Sequence, residues 1–312
     1  MAVFSLSDAY EYDVAATAAT VGMFDGVHEG HRSLVRQLVG IAQSADVRPL
    51  VVTFDRHPRQ VLGKIDNSFG LLCDSAERIR RLQQRGDIDI AVMPFSREMA
   101  SLSACRFLVQ LLVPRLHVRH LLMGYDNQFG SRTDNDFERL PLVAEQQGVV
   151  LHRDKPLLID GKPVSSTRVR HAVCDGDMAL AERLLGCPFA VGGIVERGRH
   201  DGTRIGFPTA NISLDGSGII HPAFGVYAVE AMVEGVRWRG IANFGQAPTY
   251  GVSRPLMEVH LFGFDGSLYG QRISVALRKR LRSIALFSSP EVLRRQIERD
   301  KQDAIAFFRD EQ

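Results

Sequence analysis

Residues 20–39 read TVGMFDGVHEGHRSLVRQLV, which is an apolar strand end, a glycine-bearing turn and the beginning of a helix. The helix is indicated by apolar residues that recur at spacings of one and three and therefore share one face. That stripe consists of Leu34, Val35, Leu38, Val39 and Ala42. Glycines in the turn let the backbone approach a ligand closely. The stretch predicts a strand, turn and helix with an anion-binding turn.

Further apolar runs follow in the first half of the chain. They are PLVVTF at 49–54, IAVMPF at 90–95 and LLMG at 121–124, and helical patterns separate them. Near-continuous apolar strands that alternate with helices indicate a parallel sheet covered on both faces. The first half is therefore predicted to be an α/β domain.

The pattern changes after Gly186 to alternating strands and tight turns, as in GVYAVEAMV at 225–233 and ISVAL at 273–277. Runs of strands with a period of two residues indicate an antiparallel β-barrel or sandwich. A final helix is predicted from the early Pro290 and from the capping-box spacing of Ser288 and Glu291. We therefore predict two domains, 1–186 and 187–312.

Length and composition exclude several classes of protein. A chain of 312 residues exceeds what one hydrophobic core usually serves, which supports two domains. With 45% hydrophobic residues, 24% charged residues and a formal charge of +2, the chain has no feature of a nucleic-acid-binding or membrane protein. No basic segment followed by an apolar stretch begins the chain, so no secretory signal is predicted. The scattered cysteines fit a reducing compartment, and we expect a cytoplasmic protein.

Three polar segments of the first domain carry its candidate chemistry. His28 and His31 lie three residues apart where the helix begins, so both can reach one phosphate group. Residues 165–170, SSTRVR, supply hydroxyls and two guanidinium groups that suit phosphate binding. Residues 124–130, GYDNQFG, follow an apolar strand at the edge where open parallel sheets bind ligands. Taken singly, the first two segments can instead be a local turn and a helix cap.

The order of the motifs GMFDGVHEGHRSL, TFDRHP, GYDNQFG and SSTRVR is specific, and it resembles the FMN adenylyltransferase module of prokaryotic bifunctional riboflavin kinase/FAD synthetases. The resemblance implies a Rossmann-like nucleotidyltransferase domain in which His28 and His31 act on the phosphates of ATP. It also implies further binding residues. Those for ATP are Gly22, Phe24, Asp25, Gly30, Ser165, Ser166, Thr167, Arg168 and Arg170, and those for the flavin are Asp55, Pro58 and Asp126.

A glycine-bearing loop at 198–211, GRHDGTRIGFPTAN, opens the candidate chemistry of the second domain. The loop is not a Walker A sequence, and by itself it is compatible with a hairpin turn. With GVYAV, NFGQAPTYG and MEVHLFGFDGSLYG after it, however, it resembles the riboflavin kinase barrel over most of residues 187–287. The resemblance implies that Thr209 and Asn211 help to hold Mg²⁺ and ATP phosphates and that Glu258 is the base. The implied ATP-binding residues of the loop are Gly198, Gly202, Gly206 and Pro208.

The two reactions differ in what they require of the protein. A ribityl hydroxyl is neutral at pH 7 and must lose its proton as it attacks a γ-phosphate, which calls for a carboxylate such as Glu258. The alternative is that Glu258 simply faces solvent, as most carboxylates do. The phosphate of FMN is already ionised, so adenylyl transfer needs positioned charge and no base.

We therefore predict an enzyme that phosphorylates riboflavin to FMN in its second domain and adenylylates FMN to FAD, with release of pyrophosphate, in its first. The expected cofactor is Mg²⁺, and the expected partners are riboflavin, FMN and ATP, without nucleic acid or membrane. The oligomeric state is left open. Two alternatives stand beside this prediction: a nucleotidyltransferase for another phosphorylated metabolite, and a flavin-binding protein without turnover.

Overall fold

The computed structural model describes residues 1–6, 12–63, 69–125, 129–130, 136–198, 201–214, 218–249 and 252–311. Contacts divide the chain into two compact units. The sheet unit comprises Met1–Phe69 and Ser75–Ser165, and the barrel unit comprises Gly70–Asp74 and Ser166–Gln312. Residues 166–185 thus group with the barrel. Residue 186, as the boundary between independently folding domains, stays a prediction.

The sheet unit is built on a parallel sheet, as predicted. Its strands in the described part of the chain are β1 (Val3–Ser5), β2 (Thr17–Val21), β3 (Arg48–Phe54), β4 (Asp89–Met93), β5 (Val118–Met123) and β6 (Val150–Arg153). Their order is β1-β4-β3-β2-β5-β6, and every pairing is parallel. From the central pair β2 and β5, the chain continues to β3 on one side and to β6 on the other. In open parallel sheets, ligands usually bind at the carboxyl ends of the strands between which the order reverses in this way.

Helices cover this sheet. They are α1 (Glu29–Ala45), α2 (Pro58–Val61), α3 (Ser75–Gln83), α4 (Arg97–Ser101), α5 (Ala104–Phe107), α6 (Val113–Leu116) and α7 (Asp136–Gln146), with a 3-10 turn at Asp25–Val27 and a π-helix at Leu108–Leu112. The predicted stripe of α1 is confirmed, because Leu34, Val35, Leu38 and Ala42 are buried and Val39 packs against them. A small hairpin, β7 (Leu158–Ile159) and β8 (Lys162–Pro163), completes the unit.

The barrel unit confirms the predicted antiparallel architecture. Its strands are β9 (Phe189–Glu196), β10 (Ala210–Ser213), β11 (Gly225–Val233), β12 (Val236–Thr249), β13 (Val252–Leu261) and β14 (Arg272–Arg282). They close in the order β10-β13-β12-β11-β14-β9. The turn between β11 and β12 has positive φ at both Glu234 (50°) and Gly235 (81°), as a tight hairpin with the natural strand twist requires.

The remaining helices belong to the barrel unit. They are α8 (Ser166–Asp175), α9 (Met178–Leu185), α10 (Asp201–Arg204) and α11 (Pro290–Asp310). The cap of α11 is Ser289 and not the predicted Ser288, because Pro290 takes the first helical position. Ala304 and Phe308 of α11 pack against the barrel. Within the described ranges, no helix has the length and apolarity needed to cross a membrane.

Candidate active sites

The turn between β2 and α1 has an uncommon backbone. Phe24, Gly26 and Val27 have φ values of 53°, 77° and 46°. Phe24 is buried beneath Gly22, where an added Cβ would lie 3.1 Å from the Cε2 of its ring. Asp25 is also buried. Gly22, Phe24 and Asp25, which the resemblance assigns to ATP binding, therefore form the body of one turn at the carboxyl end of β2.

Two histidines follow this turn and stack on each other. His28 caps α1, and its Nδ1 accepts a hydrogen bond from the backbone N–H of His31 at 3.2 Å. Their ring centroids lie 3.6 Å apart with an angle of 14° between the planes. A Cβ added at Gly30 would lie 2.9 Å from the carbonyl oxygen of Val164. The predicted histidines thus meet at the amino-terminal end of a 17-residue helix, whose dipole favours anions.

Other predicted residues lie at the same edge of the sheet. Asp55 directly follows β3, and Pro58 begins α2. The Oδ1 of Asp55 accepts a hydrogen bond from the backbone N–H of Phe95 at 2.8 Å, so this carboxylate also ties the end of β3 to the segment after β4. Gly124 follows β5, the neighbour of β2. Asp126 lies outside the described residues.

The SSTRVR segment is divided between the two units. Ser165 ends the sheet unit, and Ser166 begins α8 in the barrel unit, so the helix includes the rest of the segment. Thr167 is exposed and Arg168 is half-buried. The Nε of Arg170 donates to the carbonyl oxygen of Gly70 at 2.8 Å. A common phosphate site of this segment with the two histidines stays a prediction.

The barrel aligns three polar residues across neighbouring strands. Asn211 of β10 pairs with Glu258 of β13, and Glu258 pairs with Asn243 of β12. The Nδ2 of Asn243 donates to the Oε2 of Glu258 at 3.2 Å. Met257 and Val259 are buried in the core, so Glu258 lies on the other face of the strand, half-buried. Register alone therefore brings the predicted base next to a predicted metal-binding residue.

A cavity of about 870 Å³ opens onto Glu258 and Asn243. Its volume lies within the range typical of small-molecule sites. Thr209 and His260 add polar groups to its wall. Most of the remaining lining is apolar and includes Ile205, Phe207, Ile241, Ile284, Phe287 and Leu293. The cavity therefore suits a large, mainly apolar ligand with a reacting group that points toward the carboxylate.

A second, smaller cavity of about 190 Å³ shares Thr209 with the first. Pro208 and residues 264–269 line it, including Asp265 and Ser267. Thr209 therefore lines both cavities.

The loop glycines serve different purposes. A side chain at Gly198 would collide with the amide of Asn211, and one at Gly202 would collide with the carbonyl oxygen of Phe207. Gly206 has open space around it, but its φ of 88° is a backbone conformation that residues other than glycine rarely adopt. Gly198 therefore lets the backbone lie close to Asn211 of β10, Gly202 lets it lie close to Phe207, and Gly206 permits the backbone bend before Pro208.

Two side chains in the barrel site were not assigned roles from the sequence. Asn243 lies in the quoted NFGQAPTYG motif, but nothing local marks its contact with Glu258. The Nδ1 of His260 lies 2.9 Å from the carbonyl oxygen of Pro208 and donates to it in the tautomer with the proton on Nδ1. Burial lowers the pKa of His260, which favours the neutral ring. The sequence signal for His260 is its alternation with Glu258 along one strand.

A histidine pair where a helix begins on a parallel sheet and a carboxylate at a large cavity on a barrel are what an enzyme of the nucleotide-dependent transferase class requires. A family model described as FAD synthetase matches residues 11–168, and one described as riboflavin kinase matches residues 185–308. The chain belongs to the bifunctional riboflavin kinase/FMN adenylyltransferase family.

Curated relatives resemble the chain over almost its whole length. The bifunctional riboflavin kinase/FMN adenylyltransferase of Bacillus subtilis is 36% identical over 297 residues, which cover 94% of this chain and 93% of that protein. The protein of the same description from Escherichia coli K12 is 38% identical, with coverages of 93% and 92%. A crystal structure described as a macrolide-efflux protein from Streptococcus pneumoniae has a TM-score of 0.83 and 28% identity, and covers 96% of this chain and 97% of its own. The likeness in fold thus extends over both units.

Proposed function

We propose that the barrel unit phosphorylates riboflavin to FMN and that the sheet unit then adenylylates FMN to FAD with release of pyrophosphate. The relatives bear both activities in their names. The observation that carries the kinase assignment is Glu258, aligned between Asn211 and Asn243 at the large cavity. The product of the first reaction is the substrate of the second, which gives one chain a reason to hold both sites.

Glu258 acts in this proposal as the general base of the kinase. Its carboxylate accepts the proton of the terminal ribityl hydroxyl while that oxygen forms a bond to the γ-phosphorus of ATP, and the bond from phosphorus to ADP breaks. Asn243 donates to Oε2, which orients the carboxylate and leaves Oε1 for the hydroxyl. The two asparagines beside Glu258 therefore have different roles in this proposal. Asn243 orients the carboxylate, and Asn211 binds the metal ion.

The two cavities suggest where the substrates lie. The flavin ring fits the larger, apolar cavity, and the nucleotide fits beside the smaller one, so that the γ-phosphate reaches Thr209, which both share. Thr209 and Asn211 offer the hydroxyl and amide oxygens that suit Mg²⁺, and close packing with Gly198 fixes the Asn211 amide. Mg²⁺ bound there with ATP would offset the phosphate charge. The loop residues Gly202, Gly206 and Pro208 would contact the nucleotide.

Adenylyl transfer rests on positioned charge. The ionised phosphate of FMN attacks the α-phosphorus of ATP, and pyrophosphate leaves with the electron pair of the broken bond. His28, His31 and the first N–H groups of α1 stabilise the charge on the α-phosphate. In this proposal the further ATP contacts come from Gly22, Phe24, Asp25, Gly30, Ser165, Ser166, Thr167, Arg168 and Arg170, and the flavin contacts come from Asp55, Pro58 and Asp126.

Two parallel incubations test the whole proposal. The purified chain is supplied with ATP, Mg²⁺ and either riboflavin or FMN, and the flavins are separated chromatographically. Both FMN and FAD should form. FMN without FAD would contradict the adenylyltransferase assignment, FAD formed only from added FMN would contradict the kinase assignment, and bound flavin without turnover would favour a flavin-binding protein. We place these reactions in the cytoplasm, with small molecules and no nucleic acid or membrane as partners.

A further inference from the structure

The backbone of the turn before His28 is strained. Val27 is β-branched and fully buried, yet its φ is 46°. β-branched residues avoid this region because their side chain collides with the neighbouring peptide. Phe24 has a φ of 53°, so the strain extends on both sides of Gly26. A conformation of this kind persists only where surrounding contacts enforce it, and such segments concentrate at functional sites.

Two buried arginines bind the carbonyl groups of this turn. The Nη1 of Arg81, on α3, donates to the carbonyl oxygen of Gly26 at 3.1 Å, and the Nε of Arg32, on α1, donates to that of Val27 at 3.1 Å. Arg81 is itself held by Glu77, which accepts from its Nε at 2.6 Å. Arg81 is 7% exposed, so its hydrogen bonds form away from competing solvent. The contact joins residues 55 positions apart in the sequence.

The turn determines where the two histidines lie. His28 follows Val27 directly, accepts the N–H of His31 and stacks on its ring. Phe24 also contacts His31, with ring centroids 5.1 Å apart. If the peptide between Gly26 and Val27 rotated toward an unstrained conformation, His28 would move and the stack would open. The Gly26 carbonyl is therefore the point at which α3 controls the position of the histidines.

We propose that Arg81 is a positioning residue for adenylyl transfer, which acts through the Gly26 carbonyl to hold His28 and His31 at the α-phosphate. The inference rests on the proposed roles of these histidines. Arg81 does not touch the substrate in this scheme. Its loss affects the transition state, because small displacements of positioned groups reduce rate more than they reduce binding.

Steady-state kinetics of Arg81→Met in the full-length chain provide the first test. Methionine keeps an apolar stem of similar length and cannot donate to Glu77 or to the carbonyl oxygen of Gly26. The kcat for conversion of FMN to FAD should fall roughly ten- to a hundredfold, while KM for ATP and FMN changes less than about threefold. Riboflavin kinase activity in the same preparation should stay within about twofold of the parent, since its site lies in the barrel unit.

Arg80→Met is the matched control. Arg80 lies on the same helix and donates to the same Glu77, at 2.7 Å through both Nε and Nη2, but its side chain is exposed. This variant should keep parental kinetics. Should Arg81→Met reduce the yield of folded protein, Arg81→Lys, which keeps the charge but cannot bind Glu77 and Gly26 together, is judged by the same criteria.

A double-mutant cycle with His31→Ala separates positioning from a general structural effect. If Arg81 acts through the histidines, Arg81→Met should lower kcat less than about threefold in the His31→Ala background. A full, additive loss in that background would overturn the proposal, as would a parental kcat for Arg81→Met itself. If His31→Ala alone leaves kcat unchanged, the proposed function of the histidines fails instead, and the two failures are thereby distinguished.

Discussion

The two candidate sites are held by different kinds of backbone. In the sheet unit, His28 and His31 follow a turn with positive φ at Phe24 and Val27, and long-range contacts keep it in place. In the barrel unit, Glu258 lies on a regular strand, and ordinary strand pairing sets its neighbours. A site that supplies fixed charge to an ionised nucleophile depends on preorganisation, whereas a site that removes a proton depends on one correctly placed base. The two activities should therefore fail separately and for different reasons.

The largest difference between the two activities is expected from Glu258→Gln, which keeps the size of the side chain and removes the proton acceptor. Riboflavin phosphorylation should fall on the order of a hundred- to ten-thousandfold, as for the loss of a general base. The same preparation, given FMN directly, should form FAD at the parental rate. Both rates are measured by separating the flavins.

Glu234→Gln, in the exposed hairpin turn of the same barrel, is the control for this variant and should change neither rate. A parental kinase rate in Glu258→Gln would return Glu258 to the role of a solvated strand residue. Equal losses of both activities in a folded protein would show that the two sites do not act independently.

The reciprocal variant is His31→Ala. Loss of one preorganised charge-stabilising donor costs about 3 to 4 kcal/mol, so FAD formation should fall roughly a hundred- to a thousandfold at saturating ATP. Binding of FMN, measured by fluorescence titration, should change far less, and the kinase should be spared. Unchanged turnover would remove His31 from the mechanism.

A smaller effect, confined to the kinase, is expected from Asn243→Ala. The variant removes the amide that donates to Oε2 of Glu258, and hydrogen bonds to charged groups contribute about 1.5 to 3 kcal/mol when shielded. Because Asn243 is exposed, we expect an effect near the lower of these two energies, which corresponds to a roughly tenfold loss in kcat. Gln246→Ala, on the same strand, is the control, and equal rates in the two variants would argue against an orienting role.

Truncation tests whether the sites are independent in folding as well as in chemistry. Residues 1–186 should convert FMN to FAD without the barrel, because every predicted phosphate-binding segment of the first site precedes that point. In the full chain, α9 buries Met178, Ala181, Leu184 and Leu185, and it contacts β9 and β14. The fragment should therefore melt at a lower temperature than the full chain.

A shorter fragment, 1–165, provides the comparison. It ends before Thr167, Arg168 and Arg170, so it should be inactive even where circular dichroism shows a folded sheet. Equal activity of the two fragments would show that the SSTRVR segment is not required, and inactivity of a folded 1–186 would contradict the predicted boundary.

The smallest effect concerns acid stability. Burial alone would raise the pKa of Asp89, but hydrogen bonds from Arg48, Tyr12 and the backbone of Ala2 outweigh it and lower the pKa from 3.8 to about 2. The unfolded state then binds the proton more tightly, so this contribution to stability is present above about pH 4 and is lost as the pH falls toward 2. Asp89→Asn should weaken that dependence in the sheet unit.

Asp46→Asn, at the residue that caps the end of α1, is the control for Asp89→Asn. The single tryptophan, Trp238, lies on β12, so its fluorescence follows the barrel while circular dichroism follows both units. Acid unfolding monitored by fluorescence should be unchanged in Asp89→Asn. A shift of that transition would show that the two units do not unfold independently.

Much of the fold was predictable because its signals are local. Apolar runs marked the parallel strands, the helical stripe marked α1, and alternation marked the barrel strands. Motif order also predicted the family to which the chain belongs. The cap of α11 was placed one residue early, because the capping-box spacing at Ser288 and the helix-starting preference of Pro290 point to different residues, and the proline prevails.

Sequence alone determined the residue types that carry the chemistry and the order in which they occur, since short motifs hold histidines, glycines and carboxylates at fixed spacing. The tertiary structure decided which of them meet. Asn211, Glu258 and Asn243 come together through the register of three strands, and Arg81 reaches Gly26 from another helix. Such contacts join residues that are distant in the chain, and their energies depend on burial and geometry that no local preference encodes. For the same reason, the left-handed conformation of Val27, against the preference of its own side chain, is visible only in the folded molecule.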